Sequence, residues 1–263
     1  MRPTQETRLE TTPVPGDGSI LGEMTSPRSY RQKRPIPDGS PAAVHPKELG
    51  KMRKRIDVLR WHHVALSKRF LGASNGDIFE LDLVFLAVMV RSYSLVDAFI
   101  DAFDMWNPIV AAPLVRMQID NLVRLSYIAR APKADDIAKY VIAGGEFRKL
   151  RDNGGKFLTD ARLVEHAKPH HPWVEVVYQA TSGWVHFSPV HVYAGTQVKP
   201  SDNDNELALQ MQIPLRPERI PLSAMHELVG AMLTATEQVF GYVEVWEQRK
   251  GLPLGQIRTP GSS

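Results

Sequence analysis

Between residues 46 and 250 the chain alternates between two hydrophobic spacings. Over about residues 46–70, Leu49, Met52, Ile56, Leu59, His63, Leu66 and Phe70 recur every three or four positions. That spacing puts all of them on one stripe of an α-helix. After Pro221, the residues Leu222, Met225, Val229, Met232, Thr236, Val239, Val243 and Trp246 make a second such stripe. Two long seams of this kind predict helices that pack on one another, in an antiparallel bundle.

The segments between them read as further helices. About residues 77–106 are apolar nearly all round, with Asp97, Asp101 and Asp104 as a solvated edge. This pattern predicts a central helix. Arg91 stands away from that edge and is expected to be partly buried, in need of a partner. Asn107-Pro108 is a cap followed by proline at the first helical position. The third helix is expected to run to about residue 131, kinked or restarted at Pro113. Gly144-Gly145 and Asn153-Gly154-Gly155 punctuate shorter helices, and one more begins near Pro172.

Beyond Pro189 the period falls to two. Leu207, Leu209, Met211, Ile213 and Leu215 alternate with other residues, as in a strand with one covered face. A β-hairpin near 191–215 is expected, with residues 191–198 as its other arm. Because an isolated hairpin is marginal in water, it should pack on the helical body or on another chain. Residues 1–45 are rich in Pro, Gly and Ser, without periodicity, and predict a disordered arm. Residues 251–263 read as a loose tail. The fold class expected is mainly α: a helical domain over 46–250 with a small appended β-hairpin.

Composition narrows the function classes. A chain of 263 residues, 43% apolar, can bury one sizeable core. Its 32 basic and 29 acidic residues leave only +3, so the pI near 9.1 does not by itself mark a nucleic-acid binder. Cysteine is absent, which excludes disulfides, zinc–thiolate sites and thiol nucleophiles. The longest unbroken apolar run, residues 83–90, is too short for a bilayer. The N-terminus lacks the apolar segment of a signal peptide. A cytoplasmic protein with no membrane partner is expected.

Candidate chemistry gathers on two helices. If residues 172–187 are helical, Tyr178, Ser182 and His186 form one polar ridge at i, i+4 and i+8. Gly183 within that helix costs about 1 kcal/mol relative to alanine, which makes sense if another backbone or a ligand comes close. Pro189 is expected to stop the helix and leave His186 near its C-terminus, where a protonated imidazole is favoured. The third helix carries a matching ridge of Arg116, Asp120 and Arg124, with Asn121 beside it. Its apolar neighbours predict that some of these groups turn inward and need compensation. An Arg116–Asp120 pair would supply part, and His186, Ser182 or Tyr178 more if the two helices touch. Such a network can be structural, fixing helix register. It can also be a site, with Arg116, Asp120 and His186 as catalytic groups and Tyr178, Ser182, Asn121 and Arg124 binding. An imidazole moves protons near neutral pH, and a guanidinium grips phosphate or carboxylate through two hydrogen bonds.

Residues 114–122, followed by 178–188, resemble a bacterial all-helical family of unknown function. Its members pair an Arg-x-x-x-acid helix with a Ser-x-x-x-His segment, here Arg116 with Asp120 and Ser182 with His186. The resemblance covers about residues 75–190. The organisation is also similar to the HEPN superfamily of helical bundles. That likeness implies a metal-independent ribonuclease or a nucleotide-binding protein of defence or stress systems, often a homodimer, with RNA or nucleotide as partner. The nearest match to that superfamily's arginine–histidine mark is Arg219 and His226, with Pro221 interrupting it and Ile220 where a polar residue is usual. Arg116 and His186 would instead carry the pair, His186 deprotonating a ribose 2′-hydroxyl and Arg116 stabilising charge at phosphorus. The alternative is a non-catalytic helical module that binds a protein partner or small ligand.

Other signals point elsewhere than to a site. Asp202, Asp204 and Glu206 lack the glycine and the bidentate glutamate of a calcium loop. The adjacent pairs His62-His63 and His170-His171 diverge by about 100° on a helix and do not make a metal site. No phosphate-binding or dinucleotide loop and no nucleophile elbow occurs. No cofactor or metal is expected.

Overall fold

In a computed structural model, residues 46–73, 77–186, 188–200, 207–211 and 220–250 are described, and all fall in one compact unit. The expected arm (1–45) and tail (251–263) lie outside the described residues, as do Ile213, Leu215 and the turn before Leu207.

Chain order gives α1 (Pro46–Gly72), α2 (Glu80–Asp104), α3 (Pro108–Ile128) and α4 (Ala134–Ile142), then a 3-10 turn at Phe147–Lys149. There follow α5 (Asp160–Ala167), α6 (Val174–Val185), α7 (Pro189–Gly195) and α8 (Leu222–Lys250). The stripe of α1 is its buried face: Leu49, Ile56, His63, Leu66 and Phe70 are all buried. The α8 stripe behaves likewise from Leu222 to Trp246. Asn107 caps α3, its side-chain oxygen accepting from the Val110 amide at 3.3 Å. The helix runs through Pro113 as one element, so the chain does not restart there. Pro113 deprives only the Ile109 carbonyl of its partner, and Ile109 lies at the exposed surface where water can replace it. Trp106 ends α2 with a left-handed φ of 54°, a conformation a bulky residue adopts only when its surroundings impose it; its ring is buried.

Cross-helix contacts fix the directions. Between α1 and α2, Arg53 meets Asp104, Arg60 meets Asp97 and His63 meets Ser92, so these helices run antiparallel. Between α1 and α8, Arg55 meets Glu237 and Arg69 meets Glu247, so these run parallel. Gln118 with Thr236 and Arg130 with Tyr242 make α3 and α8 parallel as well. The bundle is therefore not uniformly antiparallel. Amphipathic stripes say which face is buried and nothing about polarity, and residues 129–221 are long enough to return the chain to the starting end. α3 sits between α8 and α2 and also packs on α5 and α6; α4 covers α2.

Pro189 does more than stop α6. It is the first residue of α7, the position where proline's missing N–H costs nothing. Helix thus occupies most of the stretch expected as the first hairpin arm. The backbones of Thr196–Pro200 and Leu207–Met211 form a short antiparallel ladder pairing Thr196 with Met211 and Val198 with Leu209. Most of their side chains and the link between them lie outside the described residues, so a hairpin seated on the helical body is not supported. The described residues form a mostly helical bundle. As a whole, α2 is long and apolar enough to cross a membrane, although its longest uninterrupted apolar run is not. Its packing against α1, α3, α4 and α8 accounts for that composition.

A polar chain crosses the core. The His63 ring nitrogen Nδ1 lies 2.9 Å from the Leu59 carbonyl, so Nδ1 carries the proton. Nε2 then accepts from Ser92 Oγ at 2.8 Å. Ser92 Oγ in turn accepts from Gln118 Nε2 at 2.7 Å, which also donates to Thr236 Oγ1 at 3.1 Å. Gln118 Oε1 accepts from Asn121 Nδ2 at 3.0 Å. Each group has a partner, as a buried network requires. Burial lowers the His63 pKa to about 4, so the ring is neutral at pH 7. The unfolded chain binds this proton with a pKa near 6.5, so protonation favours unfolding. Stability from His63 is complete above pH 6.5 and falls as the pH drops toward 4, by about 3 kcal/mol in all. Urea unfolding at pH 7 and pH 4.5 should show this loss, and His63→Gln should remove most of that difference.

Candidate functional site

The ridge on α3 folds into an ion cluster, but with partners other than those expected. Asp120 is held by Arg124 one turn later and by Arg91 of α2 at 3.0 Å. Arg91 also donates to Asn121 Oδ1. Arg116 does not pair with Asp120; its carboxylate is Asp160, the first residue of α5, at 3.4 Å. Helical side chains lean toward the N-terminus. Arg124 therefore reaches back onto Asp120, and Arg116 leans away from it. Asp160 also accepts from Arg124 at 3.1 Å and so bridges two guanidinia. Its own place at a helix N-terminus favours its negative charge.

The two helices do touch. The Arg116 guanidinium lies 3.6 Å from the centre of the Tyr178 ring, a cation–π stack. The rest of the α6 ridge goes elsewhere. Ser182 Oγ donates to the Tyr178 carbonyl at 2.6 Å and is spent on its own helix. The Gly183 carbonyl accepts from Ser188 Oγ at 2.7 Å, a bond that any residue at this position could make. His186 ends α6 in an extended conformation and is exposed, with no polar partner among the described residues. The structure thus joins Arg116, Asp120, Asn121, Arg124 and Tyr178, and does not join Ser182 or His186 to them. Arg219 lies outside the described residues, and His226 is half-buried on α8.

Beside the cluster opens a cleft of about 340 Å³. Leu83, Val84, Ala87 and Val88 of α2 form one wall, and Ile128 of α3 another. Val141 and Ile142 of α4, with Phe147, close the far side. Leu83 and Ile142 form an exposed apolar lip. Arg91, Asn121 and Arg124 supply the polar end. Three guanidinia, Arg91, Arg116 and Arg124, face two carboxylates, Asp120 and Asp160, which leaves one net positive charge. Burial lowers the pKa values of Arg91 and Arg124, and for Arg124 the neighbouring guanidinia add to this. Both remain cationic, because an arginine starts so high. The Arg91 contacts run through Nη1, so Nε and Nη2 have no acceptor among the described residues.

Sequence reasoning named Arg91 as a cation in need of a partner, but not its place in the site. Asp160 went unnoticed because its partners are 36 and 44 residues away. Among the described residues no group of three His, Asp or Glu side chains is placed to hold a metal ion. No protein-family model, no curated protein and no solved structure is significantly similar to this chain.

Proposed function

We propose that this chain is a non-catalytic helical binding module whose cleft between α2, α3 and α4 takes a small amphipathic anion. The hydrocarbon part lies along Leu83, Val84, Val88 and Phe147, and the anionic head meets Arg91 and Arg124. One observation carries the reading: an apolar cleft ends on two partly desolvated guanidinia in a cluster with surplus positive charge. Its volume is in the range of small-molecule sites, which are mostly apolar with a few convergent polar groups. A carboxylate there would form charge-assisted bonds in a poorly solvated place, where they are strong.

Titration of octanoate into the full chain tests this. Saturable binding is expected, with 1-octanol much weaker. Arg91→Gln leaves Asp120 paired with Arg124, so the fold should survive while affinity falls about tenfold or more, the worth of a hydrogen bond to a charged group. Equal binding of octanol and octanoate would sink the proposal. A ribonuclease built on Arg116 and His186 would need a contact that no described residue provides, so nuclease chemistry forms no part of this reading. RNA or nucleotide binding and a homodimer remain implications of the family resemblance alone.

A further inference from the structure

A second cleft, of about 330 Å³, lies where the last turn of α3 meets α5 and the turn at Asn153-Gly154. Its chemistry differs from that of the apolar cleft. The centre is Asp152, whose carboxylate is almost wholly buried. Oδ1 accepts from the Gly154 and Lys156 amides, both at 2.9 Å. Oδ2 accepts from Arg162 Nε at 2.7 Å and lies 3.2 Å from His166 Nε2. The Lys156 amide, with Arg162 and His166, holds this carboxyl ionised far below the usual range. A fixed carboxylate accepts but does not donate, so His166 carries its proton on Nε2 and has Nδ1 left over. The ring is held edge-on to Tyr127 at 5.2 Å.

Arg130 also lines the cleft. Its Nη1 is anchored to the Ser126 carbonyl at 2.6 Å, Ser126 Oγ at 2.7 Å and the Tyr242 hydroxyl at 3.0 Å. Nε and Nη2 have no acceptor among the described residues. Arg162 is matched by both Asp152 and Glu165, which leaves Arg130 as the cation of the lining without a carboxylate among the described residues. The pinned guanidinium turns the rest of its N–H donors to the cleft's lining, beside the Asn153 side chain, while His166 Nδ1 presents a lone pair that can accept a proton from a ligand. Ala131, Pro132 and the Tyr127 ring offer a small apolar shelf for an ester group.

We infer that this cleft binds a phosphate monoester, its phosphoryl oxygens held by Arg130 and, through one proton shared with Nδ1, by His166, and its ester group against Tyr127 and Pro132. Asp152 and Arg162 are positioning residues, fixing the imidazole. The site is separate from the Arg91 cleft and does not depend on it. Phenyl phosphate, titrated calorimetrically into the full chain, is the probe. It should bind saturably, with inorganic phosphate weaker. His166→Gln keeps Asp152 bonded to Arg162 and two amides, so folding should persist while affinity falls about tenfold, as expected for a charge-assisted bond. Arg130→Gln should do the same, and Arg91→Gln should leave phenyl phosphate binding unchanged. No saturable binding of phenyl phosphate, or binding that Arg91→Gln weakens and His166→Gln does not, would overturn the inference.

Discussion

Asp82→Ala is expected to lower the unfolding free energy by about 3–5 kcal/mol, the range for breaking a buried ion pair from one side. Asp82 Oδ2 accepts from Lys250 Nζ at 3.0 Å, and both side chains are 1% exposed. Oδ1 accepts from the Trp246 indole at 2.7 Å, and the Phe79 amide donates to Oδ2 at 3.0 Å. The carboxylate thereby ties the last turn of α8 to the first turn of α2. Alanine would leave an ammonium buried against the Phe70 ring, 4.4 Å away, and an indole N–H with no acceptor. Removing the ammonium as well should restore much of the loss, because an apolar replacement of a buried pair is often near neutral. Urea unfolding of Asp82→Ala, Lys250→Met and the double variant measures both effects. A single-variant cost below about 1 kcal/mol would mean that Lys250 escapes to water.

The second large effect is at Gln118. Its amide holds three helices together, through Ser92 on α2, Thr236 on α8 and Asn121 within α3. Gln118→Leu keeps similar bulk and deletes all three bonds. Asn121 then loses the acceptor of its amide, while Ser92 and Thr236 still donate to His63 and the Met232 carbonyl. Stranding the Asn121 amide costs about 1–3 kcal/mol and each of the two other lost bonds about 0.5–1.5 kcal/mol net, so a loss of about 2–4 kcal/mol is expected in urea unfolding. The His63 pKa, followed by NMR, should also move. A near-neutral variant would mean that the chain from His63 to Arg91 contributes nothing jointly.

Helix faces were legible in the sequence because burial repeats with the helical period. Leu49, Ile56, Leu66 and Phe70 on α1 fall where their spacing puts them, and His63 is, as such a histidine commonly is, a core residue with both ring nitrogens occupied. The meeting of α3 with α6 was also within reach, since polar ridges on apolar helices must find one another. Direction and pairing were not. Nothing in the α8 stripe says that it lies parallel to α1, because a stripe has no polarity. Arg116 and Arg124 share a residue type and a ridge, yet only Arg124 reaches Asp120, a consequence of the lean of helical side chains. Asp152 is a different case. Asp152 followed by Asn153-Gly154-Gly155 is the signature of a side chain bonding its own turn. It could have been read as a structured loop holding a carboxylate, not merely as punctuation.

The decisive measurement is the affinity of straight-chain alkanoates of increasing length for the full chain, alongside the alcohols of equal length. Each added CH2 should tighten binding about fourfold, from about 0.8 kcal/mol per buried methylene, until the cleft is full. The alcohol series should run parallel but weaker, and Arg91→Gln should close most of the gap between the two. Affinity that ignores chain length, or a carboxylate advantage that survives the loss of Arg91 and Arg124 together, would place the ligand somewhere other than the cleft between α2, α3 and α4.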